Sequence, residues 1–336
     1  MDSPSQASTL IPLVSVIIPA YNASAHIRDA LESVFAQTYR DFEVIIINDG
    51  SPDTKEFEHT IETYRDRIVY MKQENRGPAA ARNAGILRAQ GVYVAFLDSD
   101  DAWHPEYLKK QLNMIEENPS LDLVYSDCFY SSDSGSDGTR YMQKCPSNGP
   151  VTFDSLAIED CAIPTSQTVA RKSAIIKAGL FDERFWCSED YDLWLRMAHS
   201  GARMSYQKHP LGRHKVRAGS LTSDEVTLQD GMVKVLTKLD ATLDLSVGSR
   251  AVLRRKLTLA TAERDLALAK ERLACGDLKQ AMILFEKANA RLGRRKLQLV
   301  LWGLRVTPRL TRVALGIFWH VEGGSARREL GETVKL

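Results

Sequence analysis

The chain has 336 residues, 44% of them hydrophobic and 26% charged, enough for one large domain with a full core and a further appendage. Its formal net charge is +1, so the overall balance points neither to nucleic acid nor to an acidic partner. Five cysteines are scattered without a CxxC pair, which argues for reduced thiols in a cytoplasmic setting and against a disulfide framework or a zinc site.

Residues 1–12 are polar, with no basic stretch leading into an apolar run, and are expected to form a flexible tail rather than a secretory leader. Two β–α units then open the domain expected over 13–222. The run 13–18 is short, apolar and β-branched and stops at Pro19, as a buried parallel strand would. Ser24 is expected to cap a helix with Ile27, Ala30, Leu31, Val34 and Phe35 on one face. A second strand over 42–47 ends at Asn48-Asp49-Gly50-Ser51, followed by a helix over 53–64 and a strand over 68–71. Glu74-Asn75-Arg76-Gly77-Pro78 turns into an alanine-rich helix over 79–89. The strand 92–97 then runs into Asp98-Ser99-Asp100-Asp101.

This alternation predicts an α/β fold, a mostly parallel sheet flanked by helices with right-handed crossovers. In such sheets ligands gather at the carboxyl ends of the strands, where residues 19–22, 48–51 and 98–101 all fall. A helix over 105–118 and a strand over 122–126 continue the core, and a Ser/Asp/Gly loop over 131–138 is expected to be mobile. A helix should start within 171–175, and an amphipathic one at the acids of 188–196. After about residue 221 only helices are expected, in a C-terminal region over 223–336. Within it, 250–274 and 277–292 form an αα-hairpin broken at Cys275-Gly276-Asp277.

Four groups of residues carry chemical meaning. Asp98 and Asp100, two apart at the end of a buried strand, are costly unless they bind something, and oxygen-only ligands suit Mg2+ or Mn2+ carried in with a diphosphate. Asp49 is read either as part of a plain loop or as an acceptor for a base N–H. Arg82, on a helix opened by Gly77-Pro78, offers a fixed guanidinium for phosphate oxygens, and the helix N-terminus adds favourable potential for an anion. Glu189 and Asp190 either complement a helix dipole or place a general base beside an acceptor hydroxyl. Asp192 and Arg196, four apart on that helix, are read as a structural pair.

Together the strings VSVIIPAYN (14–22), QTYRDFEVIIINDGSPD (37–53), ENRGPAAARNAGI (74–86), GVYVAFLDSDDAWHPEYL (91–108) and GLFDERFWCSEDYDLWLRMA (179–198) resemble the family 2 glycosyltransferases. The resemblance implies the GT-A fold and inverting transfer of a sugar from a nucleotide-diphosphate donor, a UDP-sugar foremost, to an acceptor hydroxyl. It implies that Pro19, Tyr21 and Asp49 cradle the base, that Asp98 lies by the ribose and metal, and that Asp100 is a metal ligand. Arg82 then faces the nucleotide sugar or diphosphate, Asp190 is the catalytic base, and Glu189 is its neighbour on the acceptor side. Gly212-Arg213-His214 and Ser220-Leu221-Thr222 look like the family's Arg-x-His…Ser segment, with His214 touching the diphosphate or metal, or else a surface histidine. One position departs from the family: Asn48 stands where an aspartate usually precedes Asp49. The acceptor is expected to be a sugar or lipid-linked group, in cell-surface polysaccharide or glycolipid synthesis. The competing readings are a sugar nucleotidyltransferase, disfavoured because PAYNAS has no glycine-rich basic loop, and a non-catalytic nucleotide-sugar-binding module.

Between Arg291 and Arg312 the chain carries seven Lys/Arg and no acid. Over 297–321 basic residues interleave with Leu and Trp, Pro308 interrupts, and no run is long enough to span a bilayer. The segment is read as a peripheral contact with the inner face of the plasma membrane, or as a helix packing on protein.

Overall fold

Runs of Val and Ile make the central strands apolar on both faces: Val14, Val16, Ile17, Ile18, Val44, Ile45, Ile46 and Ile47 are all at most 1% exposed. Strands of that kind need helices on both sides of the sheet. The computed structural model, which describes residues 12–132, 135–136, 138–216 and 224–315, divides into two units. The first holds residues up to 130 and 137–215, the second 131–136 and 216 onward.

In the first unit β1 (Val14–Ala20), β2 (Phe42–Asp49), β3 (Val69–Gln73) and β4 (Tyr93–Phe96) run parallel. Between them come α1 (Ile27–Phe35), α2 (Thr54–Ile61) and α3 (Gly77–Arg88). The alanines of α3 and Gly85 let that helix lie close on β1 and β2; a Cβ on Gly85 would stand 2.5 Å from Ile17 Cγ2. Beyond β4 the sheet continues with β5 (Ala102–Trp103), α4 (Tyr107–Glu117), β6 (Leu123–Ser131), the short α5 (Tyr141–Lys144) and α6 (Phe153–Ala157), β7 (Thr168–Arg171), α7 (Lys172–Lys177), α8 (Glu189–His199) and β8 (Met204–Lys215). The strand order is β3-β2-β1-β4-β7-β6-β8-β5.

Several expectations are corrected. The sheet is mixed rather than mostly parallel, because β7 runs antiparallel to both β4 and β6, and β5 antiparallel to β8. Pro19 does not end β1 but pairs with Ile47 inside it; the ladder to β4 has already stopped at Ile17–Phe96, so the missing N–H breaks no bond on that side. Ser24 does not cap α1, which starts at Ile27 after a turn closed by His26 N–H on Ala23 O; the Ser24 amide donates instead to Asp53 Oδ2 at 2.8 Å. The helix expected over 53–64 tightens after Ile61 into a 3-10 turn, Glu62–Arg67.

The second unit is helical: α9 (Glu225–Thr242), α10 (Val247–Ala274), α11 (Leu278–Leu292) and α12 (Arg295–Val306). Both α9 and α11 pack on α10. The hairpin breaks where expected, with Gly276 at φ +88° and Asp277 accepting from the Gln280 amide to start α11. Its core gathers Leu273, Ala281, Phe285 and Ala288 around Leu297, Leu301 and Leu304. The Ser220-Leu221-Thr222 segment, residues 1–11 and residues 316–321 of the basic stretch lie outside the described residues, as do 133, 134 and 137 of the Ser/Asp/Gly loop.

Candidate active site

At the end of β2 the turn is built by Asn48, itself 1% exposed. Its Nδ2 donates to Thr54 Oγ1 and to the Tyr70 hydroxyl, both at 3.0 Å, and its Oδ1 accepts from the Ser51 amide at 2.9 Å. Asn48 therefore holds the loop's shape, the role that this sequence gives to an amide in place of a carboxylate. Gly50 sits at φ +66°, and a Cβ there would stand 2.5 Å from the Asn75 nitrogen; conformation and space both demand glycine. The loop after β1 is tied to this turn, since the Asn22 amide donates to Ser51 Oγ at 2.6 Å. That tie fixes the strand-end position of Pro19 and leaves Tyr21 51% exposed beside it.

Asp49 is 3% exposed, and its carboxylate is engaged from within the protein. Oδ1 accepts from Gln73 Nε2 at 2.7 Å and from the Arg76 amide at 3.0 Å, and Oδ2 from the Gly77 amide at 2.8 Å. The N-terminus of α3, which the sequence offers to a ligand anion, already holds the Asp49 carboxylate.

Arg82 lies further along α3 and is 6% exposed. Its Nη2 donates to Asp98 Oδ1 at 2.7 Å and its Nη1 to Glu189 Oε1, while its guanidinium carbon sits 5.6 Å from the Phe181 ring centre. Its Nε is buried with no hydrogen-bond partner among the described residues. The guanidinium expected to clamp phosphate is thus committed to two protein carboxylates. Burial opposes its charge, yet Asp98, Glu189 and Asp190 together hold it firmly protonated. Burial also pushes Asp98 upward, but Arg82 outweighs it and keeps Asp98 below the usual carboxylate range. For Glu189 the balance tips the other way: burial, helped by Asp190 and only partly offset by Arg82, pushes it up to about 7. One cation shared by three acids satisfies the exposed partner better than the buried one.

The acids after β4 meet β8 through the two-residue strand β5. Its pairing, Ala102 with Arg213 and Trp103 with Gly212, brings His214 onto the Asp98–Asp101 turn. A Cβ on Gly212 would fall 2.9 Å from Ala102 O and 2.4 Å from Gln167 Nε2, so only glycine permits that approach. His214 Nδ1 lies 3.0 Å from Asp101 Oδ2, and Asp101 Oδ1 accepts from the Lys215 amide at 2.8 Å. Asp101 above all, with Asp98 and Asp100 adding to it against the effect of burial, raises His214 to about 9.

A 3-10 turn, Thr165–Gln167, links the two acidic groups. Ser166 Oγ accepts from the Asp98 amide at 3.0 Å, and Ser166 O from Trp103 Nε1 at 2.6 Å. Thr165 Oγ1 donates to Asp190 Oδ2 at 2.7 Å. Asp190 also accepts on Oδ1 from the Tyr191 amide at 2.7 Å, at the start of α8. The segment before α8 rides on α3: Asn83 bonds the Phe181 backbone at both its amide and its carbonyl, Arg76 pairs with Glu183, and Trp186 packs on Gly77. Asp192 and Arg196 are the structural pair expected, at 2.7 Å with Asp192 fully buried.

The fold therefore links Arg82, Asp98, Asp100, Glu189, Asp190 and His214 through direct contacts and short electrostatic steps, with Asp49 joined to them through the start of α3, although they come from stretches of sequence as far apart as the end of β2 and the end of β8. Sequence reasoning missed Asp101, signalled only as a further acid in the DSDD run, and missed Thr165 and Ser166, which have no signal in a single sequence. Among the described residues no three His, Cys, Asp or Glu groups form a ready-made metal cage. Mg2+ and Mn2+ are usually held by one or two carboxylates plus phosphate oxygens, and a ligating histidine commonly gives its other ring nitrogen to a carboxylate. Asp98 and Asp100, with His214 backed by Asp101, fit that donor chemistry.

The family model for Glycosyl transferase family 2 matches residues 15–177. An uncharacterised glycosyltransferase of Rickettsia prowazekii is 29% identical over 241 residues, 68% of this chain and 73% of that protein. TuaG of Bacillus subtilis, named as a teichuronic acid biosynthesis glycosyltransferase, is 49% identical over 109 residues, 32% of this chain and 43% of its own length. The match to a glycosyltransferase of Rickettsia bellii, 32% identical over 56% of this chain, spans only 28% of that longer protein. Among solved structures, S. aureus TarS in complex with UDP-GlcNAc has a TM-score of 0.59 at 21% identity, over 83% of this chain and 87% of that one. The mannosyltransferase PcManGT from Pyrobaculum calidifontis, in complex with GDP-Man and Mn2+, has a TM-score of 0.59 at 16% identity, over 95% and 87%. At such identities the structures speak for the fold alone, and the sequence matches carry the family. Residues 15–177 are thus a glycosyltransferase family 2 domain, built on the GT-A fold.

Proposed function

We propose that the protein transfers a sugar from a nucleoside-diphosphate donor, a UDP-sugar foremost, to an acceptor hydroxyl with inversion at the anomeric carbon, in the assembly of a cell-surface polysaccharide or glycolipid. The observation that carries this reading is the Arg82 cluster, which draws Asp98 at the sheet edge and Glu189 at the start of α8 onto one guanidinium. Donor-side and acceptor-side acids are thereby held together. Relatives support it: TarS is solved with UDP-GlcNAc, PcManGT with GDP-Man and Mn2+, and TuaG is named for teichuronic acid synthesis.

In this reading Asp190 takes the proton from the acceptor hydroxyl as that oxygen attacks the anomeric carbon, and the nucleoside diphosphate leaves from the opposite face. Thr165 fixes the direction of the Asp190 carboxylate through Oδ2. Pro19, Tyr21 and Asp49 line the base end. Arg82 acts one step back from the donor, by holding Asp98 and Glu189 in place. Asp98, Asp100 and His214 are the residues that would hold Mg2+ or Mn2+, which when bound supplies positive charge to the departing diphosphate. A single displacement needs no covalent nucleophile. On the acceptor side Tyr141 is a phenol that feels the Asp190 charge.

The test is Asp190→Asn. It should bind a UDP-sugar with Mn2+ as the parent does, read by the rise in melting temperature, and should lose transfer. Donor affinity falling together with turnover would refute Asp190 as the base.

A further inference from the structure

The helix α12 is apolar on two opposite sides. At about 3.6 residues per turn, Leu297, Leu301 and Leu304 share one face, and all three are buried in the second unit's core. Leu299, Trp302 and Val306 lie on the other side, 69%, 65% and 57% exposed. Residues 308–315 are helical again and add Leu310 and Val313, also well exposed. The two helical pieces are packed together, since a Cβ on Gly303 would stand 2.8 Å from Thr311 Oγ1. A helix that packs by one face alone should be polar on the other; here the outward side carries a continuous apolar strip.

Its charges are one-sided. Arg294 and Arg305 pair with Glu263 and Glu286, and Arg312 donates to Ala274 O. Arg295, Lys296 and Arg309 are exposed and make no ion pair among the described residues. Helical geometry puts Arg295 in line with Leu299, Trp302 and Val306, with Lys296 flanking them. Both also sit in the first turn of α12, where cations oppose the helix dipole and no acid offsets them. A local rule broken in this way points to an anion supplied from outside.

We propose that the outward face of α12 and 308–315 lies flat on an anionic lipid surface, with Leu299, Trp302 and Val306 in the headgroup boundary and Arg295, Lys296 and Arg309 against lipid phosphates. A tryptophan suits that boundary, with an apolar ring and one polar N–H. Charge complementarity favours lipid over a second copy, which would set the same unpaired cations against one another. Among the described residues no helix is long and apolar enough to cross a membrane, so the contact is peripheral.

The full chain is sedimented with phosphatidylcholine vesicles with and without phosphatidylglycerol, at low and high salt. Binding should need the anionic lipid and fall with salt. Arg295→Gln/Lys296→Gln should weaken it roughly thirtyfold, at about one kcal/mol per basic residue, and Trp302→Asp should abolish it. Val247→Asp, at a 90% exposed site, should change nothing. All the replaced side chains are at the surface, and unchanged melting temperatures would show that folding is intact. Equal binding to neutral vesicles, indifference to both face variants, or a dimer in sedimentation velocity that these variants dissolve would overturn the proposal.

Discussion

Replacing Arg82 by methionine removes the one cation that Asp98, Glu189 and Asp190 share. Breaking a buried pair by deleting one partner typically costs about 3–5 kcal/mol, but a carboxyl group can escape part of that by taking up a proton. Glu189 is already lifted to about 7 with Arg82 present; without it the folded-state value rises further. The sign follows from linkage. An acid raised in the folded state binds more protons folded than unfolded, so stability falls as pH rises from the unfolded value of about 4.5 through the folded one. In the parent that fall ends near 7, whereas in Arg82→Met it continues upward. The gap between the two proteins should therefore widen above neutrality by about 1.4 kcal/mol per pH unit for each proton involved. Urea unfolding of both proteins at pH 6 and pH 8 measures it. Arg82→Met/Glu189→Gln should recover most of the loss and flatten its pH dependence, as a coupled pair does in a double-mutant cycle. A pH-independent loss, or a double variant as unstable as the single, would refute the shared-cation account.

Two further outcomes follow from the site. Thr165→Val removes the hydroxyl that orients Asp190; a hydrogen bond to a charged group is worth about 1.5–3 kcal/mol, so kcat should fall roughly tenfold to a hundredfold with the donor KM unchanged, and Thr165→Ser should restore it. Asn48→Asp restores the residue usual in the family but replaces a donor by an acceptor. The hydroxyl hydrogens of Thr54 and Tyr70 are already given to Ser51 O and Glu58, so urea unfolding should show a loss of about 1–3 kcal/mol at neutral pH, shrinking in acid as the new carboxyl group protonates.

The parallel half of the sheet was legible because its strands are buried on both faces and read as unbroken Val/Ile runs. Such runs put 48–51 and 98–101 at strand ends. The antiparallel half was not legible: β7 has four residues and β5 two, too short for a period to register. His214 was singled out by motif, but its meeting with Asp101 depends on the β5–β8 register. Arg82 was singled out in the sequence for phosphate, and in the structure it pairs with Asp98 and Glu189, because a guanidinium that suits phosphate suits a carboxylate equally well. Only the approach of α8 to α3, 107 positions apart, decides between them. On α12 the basic and apolar interleaving was visible in sequence, whereas its division into a buried and an outward side needed the hairpin.

Asp49 fastens the start of α3 through the amides of Arg76 and Gly77, and Arg82 rides on that same helix. If Asp49 meets the base as proposed, a substitution there would therefore never change that contact alone: it would also loosen the rod that carries the guanidinium toward Asp98 and Glu189. Lost activity at this position reads the anchorage of a helix as much as the recognition of a nucleobase. In the proposed reading nucleotide preference is better probed at Tyr21, which is 51% exposed.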